Sequence, residues 1–204
     1  MKTFLKSSLL LSAVLLIAAC GKKLEPLPAD ATLLDATVLN AGSLRTDGST
    51  LSGTGSVVLN QPLSGTASGQ SYALAFRLED GGSLTLQSNA SNRLQNGIAL
   101  HFQRNGAALS VKLIAGGAEN DVSNAFATLD VTGELQLQID VHNNEVPAHI
   151  LVWSGADFSE GAALLNSEEA GREAPGNGAG QYWGLELSQA SVTRAAVSEP
   201  KFEE

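Results

Sequence analysis

Four polar side chains, Gln136, Gln138, Asp140 and His142, alternate with Leu135, Leu137, Ile139 and Val141. That spacing puts them together on one face of a strand whose other face is apolar. Arg77, His101, Gln103 and Trp153 take outward positions in other alternating runs, with the small residues Ala73, Ala75 and Ala99 between them. Amides, carboxylates and imidazoles exchange hydrogen bonds with hydroxyls, and an indole face covers an apolar ring surface. If the runs lie side by side, the set forms a shallow polar groove suited to a glycan held without covalent chemistry. An ordinary sheet alternates apolar-in and polar-out as well, so a solvated face with Trp153 in the core is the competing account.

Asp140, Asn143, Asn144 and Glu145 gather oxygen donors within six residues. Calcium takes six to eight oxygens, often from loops, and this cluster with backbone carbonyls would suit it. Zinc would turn to His142 and His149 but wants three fixed protein ligands. Asn and Asp also populate plain turns because they tolerate left-handed backbone geometry, and that reading is favoured here. No cofactor is required. For nucleophilic or metal-assisted catalysis the chain offers no Gly-x-Ser-x-Gly, no HExxH, no phosphate loop and no catalytic cysteine.

The elements that would position these residues are strands. Tyr72, Leu74, Phe76 and Leu78 share one face, and Asp80-Gly81-Gly82 predicts a hairpin turn into Leu84 and Leu86. Ile98, Leu100 and Phe102 alternate after Asn96-Gly97, and Leu109, Val111 and Leu113 after Asn105-Gly106. Leu135–His142 is followed by a turn at Asn143-Asn144 and a second run, His149–Trp153. A late strand begins at Trp183, and residues 161–170 offer at most a turn or two of helix. Short alternating strands with tight turns predict an all-β chain, a two-sheet antiparallel β-sandwich or a barrel.

Phe76-Arg77-Leu78 with Gly82–Leu86, Asn96–Phe102, Leu135–Trp153 and Trp183–Val192 together resemble the strand pattern of concanavalin A-like or laminin G-like jelly rolls. The resemblance spans residues 55–195 and carries no invariant signature. It implies a jelly-roll sandwich, a fold shared by lectins, glucanases and adhesive modules, so the fold does not choose among them. Glucanases of that kind carry three acids on one strand. Glu119-Asn120-Asp121-Val122-Ser123-Asn124 keeps two, but Asn124 stands where the proton-donating glutamate belongs, and an amide supplies no proton to a leaving oxygen. The reading is therefore a non-catalytic module, with a glycoside hydrolase relative last in order.

The amino terminus carries a second resemblance. Lys2 and Lys6 precede an apolar run over residues 7–19, too short for a comfortable membrane span. It ends in Ile17-Ala18-Ala19-Cys20-Gly21, which resembles the bacterial lipobox: small residues before a cysteine that receives acyl chains and becomes the first mature residue. Cys20 is the single cysteine, which rules out an intrachain disulfide. The resemblance implies a signal peptide over 1–19, a lipidated Cys20 with a proline-containing tether to 31, a domain over 32–197 and an acidic tail over 198–204. Gly21, where an aspartate would favour inner-membrane retention, points to the outer membrane of the cell envelope.

Composition closes off other classes. With 12 basic and 21 acidic residues the net charge is −9, which excludes nucleic acid as a partner, since phosphate binding needs a basic surface. The expected partners are the membrane, through the lipid, and a glycan. The alternative is an adhesive or structural lipoprotein that binds another envelope protein.

Overall fold

The computed structural model describes residues 25–26, 32–33, 36–59, 69–142, 148–155, 157, 159–168, 171 and 180–198. Residues 1–24, with the expected signal peptide and Cys20, and Asn143, Asn144 and Glu145 lie outside them. Thirteen strands follow in order: β1 (Glu25–Pro26), β2 (Thr32–Leu33), β3 (Ala36–Asn40), β4 (Arg45–Thr46), β5 (Leu51–Leu59), β6 (Gln70–Ala90), β7 (Ile98–Asn105), β8 (Ala108–Ala115), β9 (Ala118–Asp121), β10 (Leu135–His142), β11 (His149–Ser154), β12 (Leu165–Asn166) and β13 (Tyr182–Ser198). The helical turns among the described residues are short 3-10 segments, Ser123–Phe126 and Glu160–Ala162. The second falls where one or two helical turns were expected. Glu25 and Pro26, expected in the tether, pair with Thr46 and Arg45 at the sheet edge.

The hairpin expected at Asp80-Gly81-Gly82 is not there. β6 runs unbroken for 21 residues, and β13 pairs with it along most of that length, from Tyr182 opposite Ala90 to Ser198 opposite Ser71. On its other side β6 takes β10 along its first half and β7 along its second. The glycines bend the strand instead of reversing it. Gly81 has φ +78°, and a Cβ on Gly82 would sit 2.5 Å from the Gln189 carbonyl oxygen of β13. β13 bends with it through a bulge at Gln189, which adopts φ +49° and donates its N–H to Thr54 Oγ1 at 3.1 Å. The β7–β8 turn braces the corner: Asp80 Oδ1 accepts from Gly106 N–H at 2.6 Å, and Arg104 Nη1 donates to the Leu78 carbonyl at 3.0 Å. Asp80 thus serves as an anchor for the neighbouring turn.

The bend folds the ribbon into two layers that share β6 and β13. β10, β11 and β12 extend the first half of β6, while β7, β8 and β9 extend the second, and β5 flanks β13 with β3 and β4 beyond it. Ring contacts across the gap show the layers meeting face to face. Phe76 of the first layer lies 5.4 Å from Phe102 of the second, and Phe126 closes edge-on over Phe102 at 5.9 Å. Tyr72 meets Trp183 at 5.2 Å. The inward set expected from alternation is buried throughout, from Tyr72, Leu74, Phe76 and Leu78 to Leu135, Leu137, Ile139 and Val141. Fully burying each such side chain contributes about 1.5–3 kcal/mol. The two-sheet antiparallel sandwich expected from the sequence is the architecture observed.

Candidate functional site

The outer face of the first layer carries a trough whose floor is alanine. Ala73 of β6 pairs with Gln138 of β10 on one side and Ala196 of β13 on the other; Ala75 pairs with Gln136 and Arg194. A central strand bearing only methyl groups between longer side chains leaves a depression of about 580 Å³, rimmed by Glu134, Thr193, Arg194 and Gly155. Strands repeat every ~4.8 Å, so Gln136 and Arg194 flank Ala75 from positions about 10 Å apart.

The polar groups of the trough are ordered by one another. Glu134 accepts from Thr193 Oγ1 at 2.6 Å through one oxygen and from Gln136 Nε2 at 3.1 Å through the other. Those two hydrogen bonds, with the Arg77 charge adding to them, hold its carboxyl below the ordinary glutamate range. Gln138 points its amide nitrogen inward, donating to Ser71 Oγ and, at 3.2 Å, to Asp140 Oδ1. Its carbonyl oxygen accepts no hydrogen bond among the described residues. Ser71 in turn donates to Asp140 Oδ1 at 2.5 Å, so the floor residue beside Gln138 is fixed from below.

The structure divides the residues expected to form one groove. Gln136 and Gln138 line it, and Arg77 stands one register position beyond, close enough to bias Glu134. Asp140 and His142, on the same strand face, are closed off at 0 % and 4 % exposure. The His149 Nε2 and Asn166 Oδ1 atoms, 2.9 Å apart, occupy that end of the face. Trp153 does share the outer face, being the register partner of Gln138, but it is fully buried and its Nε1–H donates to the Ser159 carbonyl at 2.9 Å. The segment after β11 folds over the ring and leaves no face for stacking. Asp140 is committed to Ser71 and Gln138, and no group of three or more metal-ligating side chains occurs among the described residues.

His101 and Gln103 lie elsewhere. β7 pairs with the second half of β6, so the strand from Ile98 is not a neighbour of those from Leu135 and His149. There His101 Nδ1 is 2.8 Å from Thr85 Oγ1, and Lys112 bridges Glu119 at 2.7 Å. Burial, and then the Lys112 charge, lower the affinity of His101 for its proton. Ala99, expected as floor, is covered by its neighbours at 3 % exposure. The two acids of the glucanase-like stretch fall on or at the end of an edge strand, not in a loop. Glu119 is the partner of Lys112, and Asp121 accepts from Ser123 N–H at 2.9 Å. Glu134, Thr193, Arg194 and Ser71 belong to the site and were not singled out from the sequence.

No family model and no curated protein matches the chain. Solved structures do. A carbohydrate-binding module, CBM66 from Bacillus subtilis, superposes with TM-score 0.53 at 12 % identity, covering 84 % of this chain and 100 % of that one. The galectin LEC-6 of Caenorhabditis elegans gives 0.42 at 15 %, over 74 % and 96 %. The exoplasmic domain of VIP36 gives 0.45 at 12 %, over 80 % and 83 %. At these identities the likeness is one of fold, and the first of them places the chain among jelly-roll β-sandwiches.

Proposed function

We propose that this chain is a non-catalytic carbohydrate-binding domain, displayed on the bacterial envelope by a lipid on Cys20, with its glycan in the Ala73–Ala75 trough. The observation that carries the reading is the trough itself: an open floor of methyl groups, walled by two glutamines whose orientations are already fixed by Glu134, Asp140 and Ser71. Pre-ordered amides lose little conformational freedom when a hydroxyl arrives, which is where binding free energy is most often lost. The fold shared with a carbohydrate-binding module supports the reading. The donors are held by carboxylates that are themselves hydrogen-bonded, which suits holding a sugar rather than transferring its protons.

Titration calorimetry of the full-length protein in detergent against a glycan panel tests this. Gln136→Ala and Gln138→Ala should each weaken the same ligand, because a hydroxyl left buried and unpaired costs about 1–3 kcal/mol. Ligand binding untouched by both changes would move the site off this face and favour a protein partner. The anchor has its own test: mass spectrometry should find acyl chains on Cys20, and Cys20→Ser should accumulate unprocessed precursor. The domain should also keep its melting temperature in chelator. A large loss restored by calcium would make a metal site of Asp140, Asn143, Asn144 and Glu145.

A further inference from the structure

The trough contains one charge that its surroundings leave unanswered. Glu134 is balanced: both oxygens accept local hydrogen bonds, and Arg77 sits at the neighbouring register position. Arg194, exposed on the opposite wall, makes no hydrogen bond or ion pair among the described residues. Arg194 is therefore the one charged side chain of the lining whose charge no described group takes up, within a chain of net charge −9. At physiological salt the remainder of that charge is screened beyond about 8 Å, so a ligand in the trough meets chiefly Arg194 and the already hydrogen-bonded Glu134. Among the described residues the lining includes no aromatic side chain. A neutral sugar would leave the guanidinium facing hydroxyls.

We propose that the trough is specific for a sugar bearing a carboxylate, a uronic acid residue. Arg194 takes the carboxylate through its guanidinium fork, and Gln136 and Gln138 take ring hydroxyls across the alanine floor. The inference rests on the glycan-binding reading of this groove and names its substrate class. The chemistry fits at each point. A planar guanidinium matches a planar carboxylate in two parallel hydrogen bonds, and such charge-assisted pairs are about twice as strong as neutral ones. The ~10 Å between the strand positions of Arg194 and Gln136 places the anion partner and the hydroxyl partner on opposite sides of the same site. One unengaged guanidinium suits one carboxylate.

The test is calorimetry on full-length protein in detergent with matched trisaccharides in gluco, galacto and manno configuration. Each is used as the neutral sugar, the C6 carboxylate and the C6 sulfate ester. One carboxylate series should bind roughly tenfold or more tighter than its neutral counterpart. Arg194→Gln should abolish that advantage, bringing the carboxylate sugar down to the affinity of its neutral counterpart in the same variant. Arg194 is exposed and makes no hydrogen bond or ion pair among the described residues, so this variant should melt with the wild type. Equal affinity for neutral and acidic sugars, or Arg194→Gln without effect, would overturn carboxylate recognition. Equal affinity for the sulfate ester would overturn it too, leaving only a general anion site. Neutral sugars that bind as tightly as acidic ones and are blocked by Ala73→Trp would preserve the groove as a glycan site while this inference fails. If no sugar binds, both fall together.

Discussion

The sandwich has two outer faces made from the same long strand, and they differ in what lies at the centre. On the first layer β6 presents Ala73 and Ala75 between Gln136, Gln138 and Arg194, and the face stays open. On the second layer β6 presents Thr85 and Gln87, and the face is filled laterally: Thr85 meets His101, Gln87 reaches Glu186 at 3.4 Å, and Lys112 meets Glu119. Ala99 on that side is buried under these neighbours. Small residues on a sheet therefore leave a depression only where the flanking side chains do not close over them: Ala73 and Ala75 line the trough, whereas Ala99 is covered. Polarity is common to both faces.

The largest effect that would break this contrast concerns Trp153. If it belongs to the packed part of the open layer, Trp153→Ala should destabilise by about 3–5 kcal/mol, read from denaturant unfolding. A variant of wild-type stability that loses sugar binding would return the ring to the groove. Asp140 and Gln136 come next, since they share a strand face but not an environment. Asp140→Ala leaves the buried Ser71 hydroxyl without its acceptor and removes one of the two acceptors of Gln138, and should cost about 1–3 kcal/mol, against about 0.5 kcal/mol or less for exposed Gln136→Ala. Equal costs would mean the strand is uniformly solvated.

A pair of tryptophan insertions then separates open from covered alanine. Ala99→Trp should overpack its face and cost about 1–3 kcal/mol without changing ligand affinity. Ala73→Trp should abolish binding with a smaller loss of stability. The reverse pattern would assign the ligand to the second layer. The smallest effect is a pH dependence confined to the closed face. The folded protein holds His101 less protonated than an unfolded chain does, because burial and Lys112 disfavour its cation. Its contribution is therefore complete above pH 6.5, the ordinary value, and declines as pH falls below it. His101→Gln should flatten the stability profile on that acid side alone, and a profile unchanged by the substitution would contradict the coupling.

Much of this was legible in residue order, and the failures have physical causes. Alternation identified β7, β8, β10 and β11 and most inward residues on them, Ala115 excepted, because half-buried strands must segregate their faces. It misread Asp80-Gly81-Gly82, where glycine serves a bend as readily as a reversal, and only the partner strand decides between them. Arg194 and Thr193 escaped notice because β13 changes face twice, near Gln189 and at Thr193: Trp183, Leu185 and Leu187 are buried, then Ala190 and Val192, then Val197. β5 was largely hidden by Gly53 and Gly55, whose absent side chains erase the period; a Cβ on Gly55 would meet the Asn40 carbonyl oxygen at 2.4 Å. Burial of Asp140, His142 and Trp153 was beyond the reach of any local pattern, since the cover comes from other segments.

The ribbon of β6 and β13 also sets a schedule. Its two strands lie far apart in the chain, and Ser71 meets its partner Ser198 only after nearly all the remaining residues exist. Loop closure on that scale comes late, and contacts so distant in sequence slow folding. While the polypeptide is being made, β6 therefore lacks the strand that bends with it, and the two layers have no common spine. The two layers stay unjoined until β13 is delivered, so closure of the sandwich is a late event of synthesis.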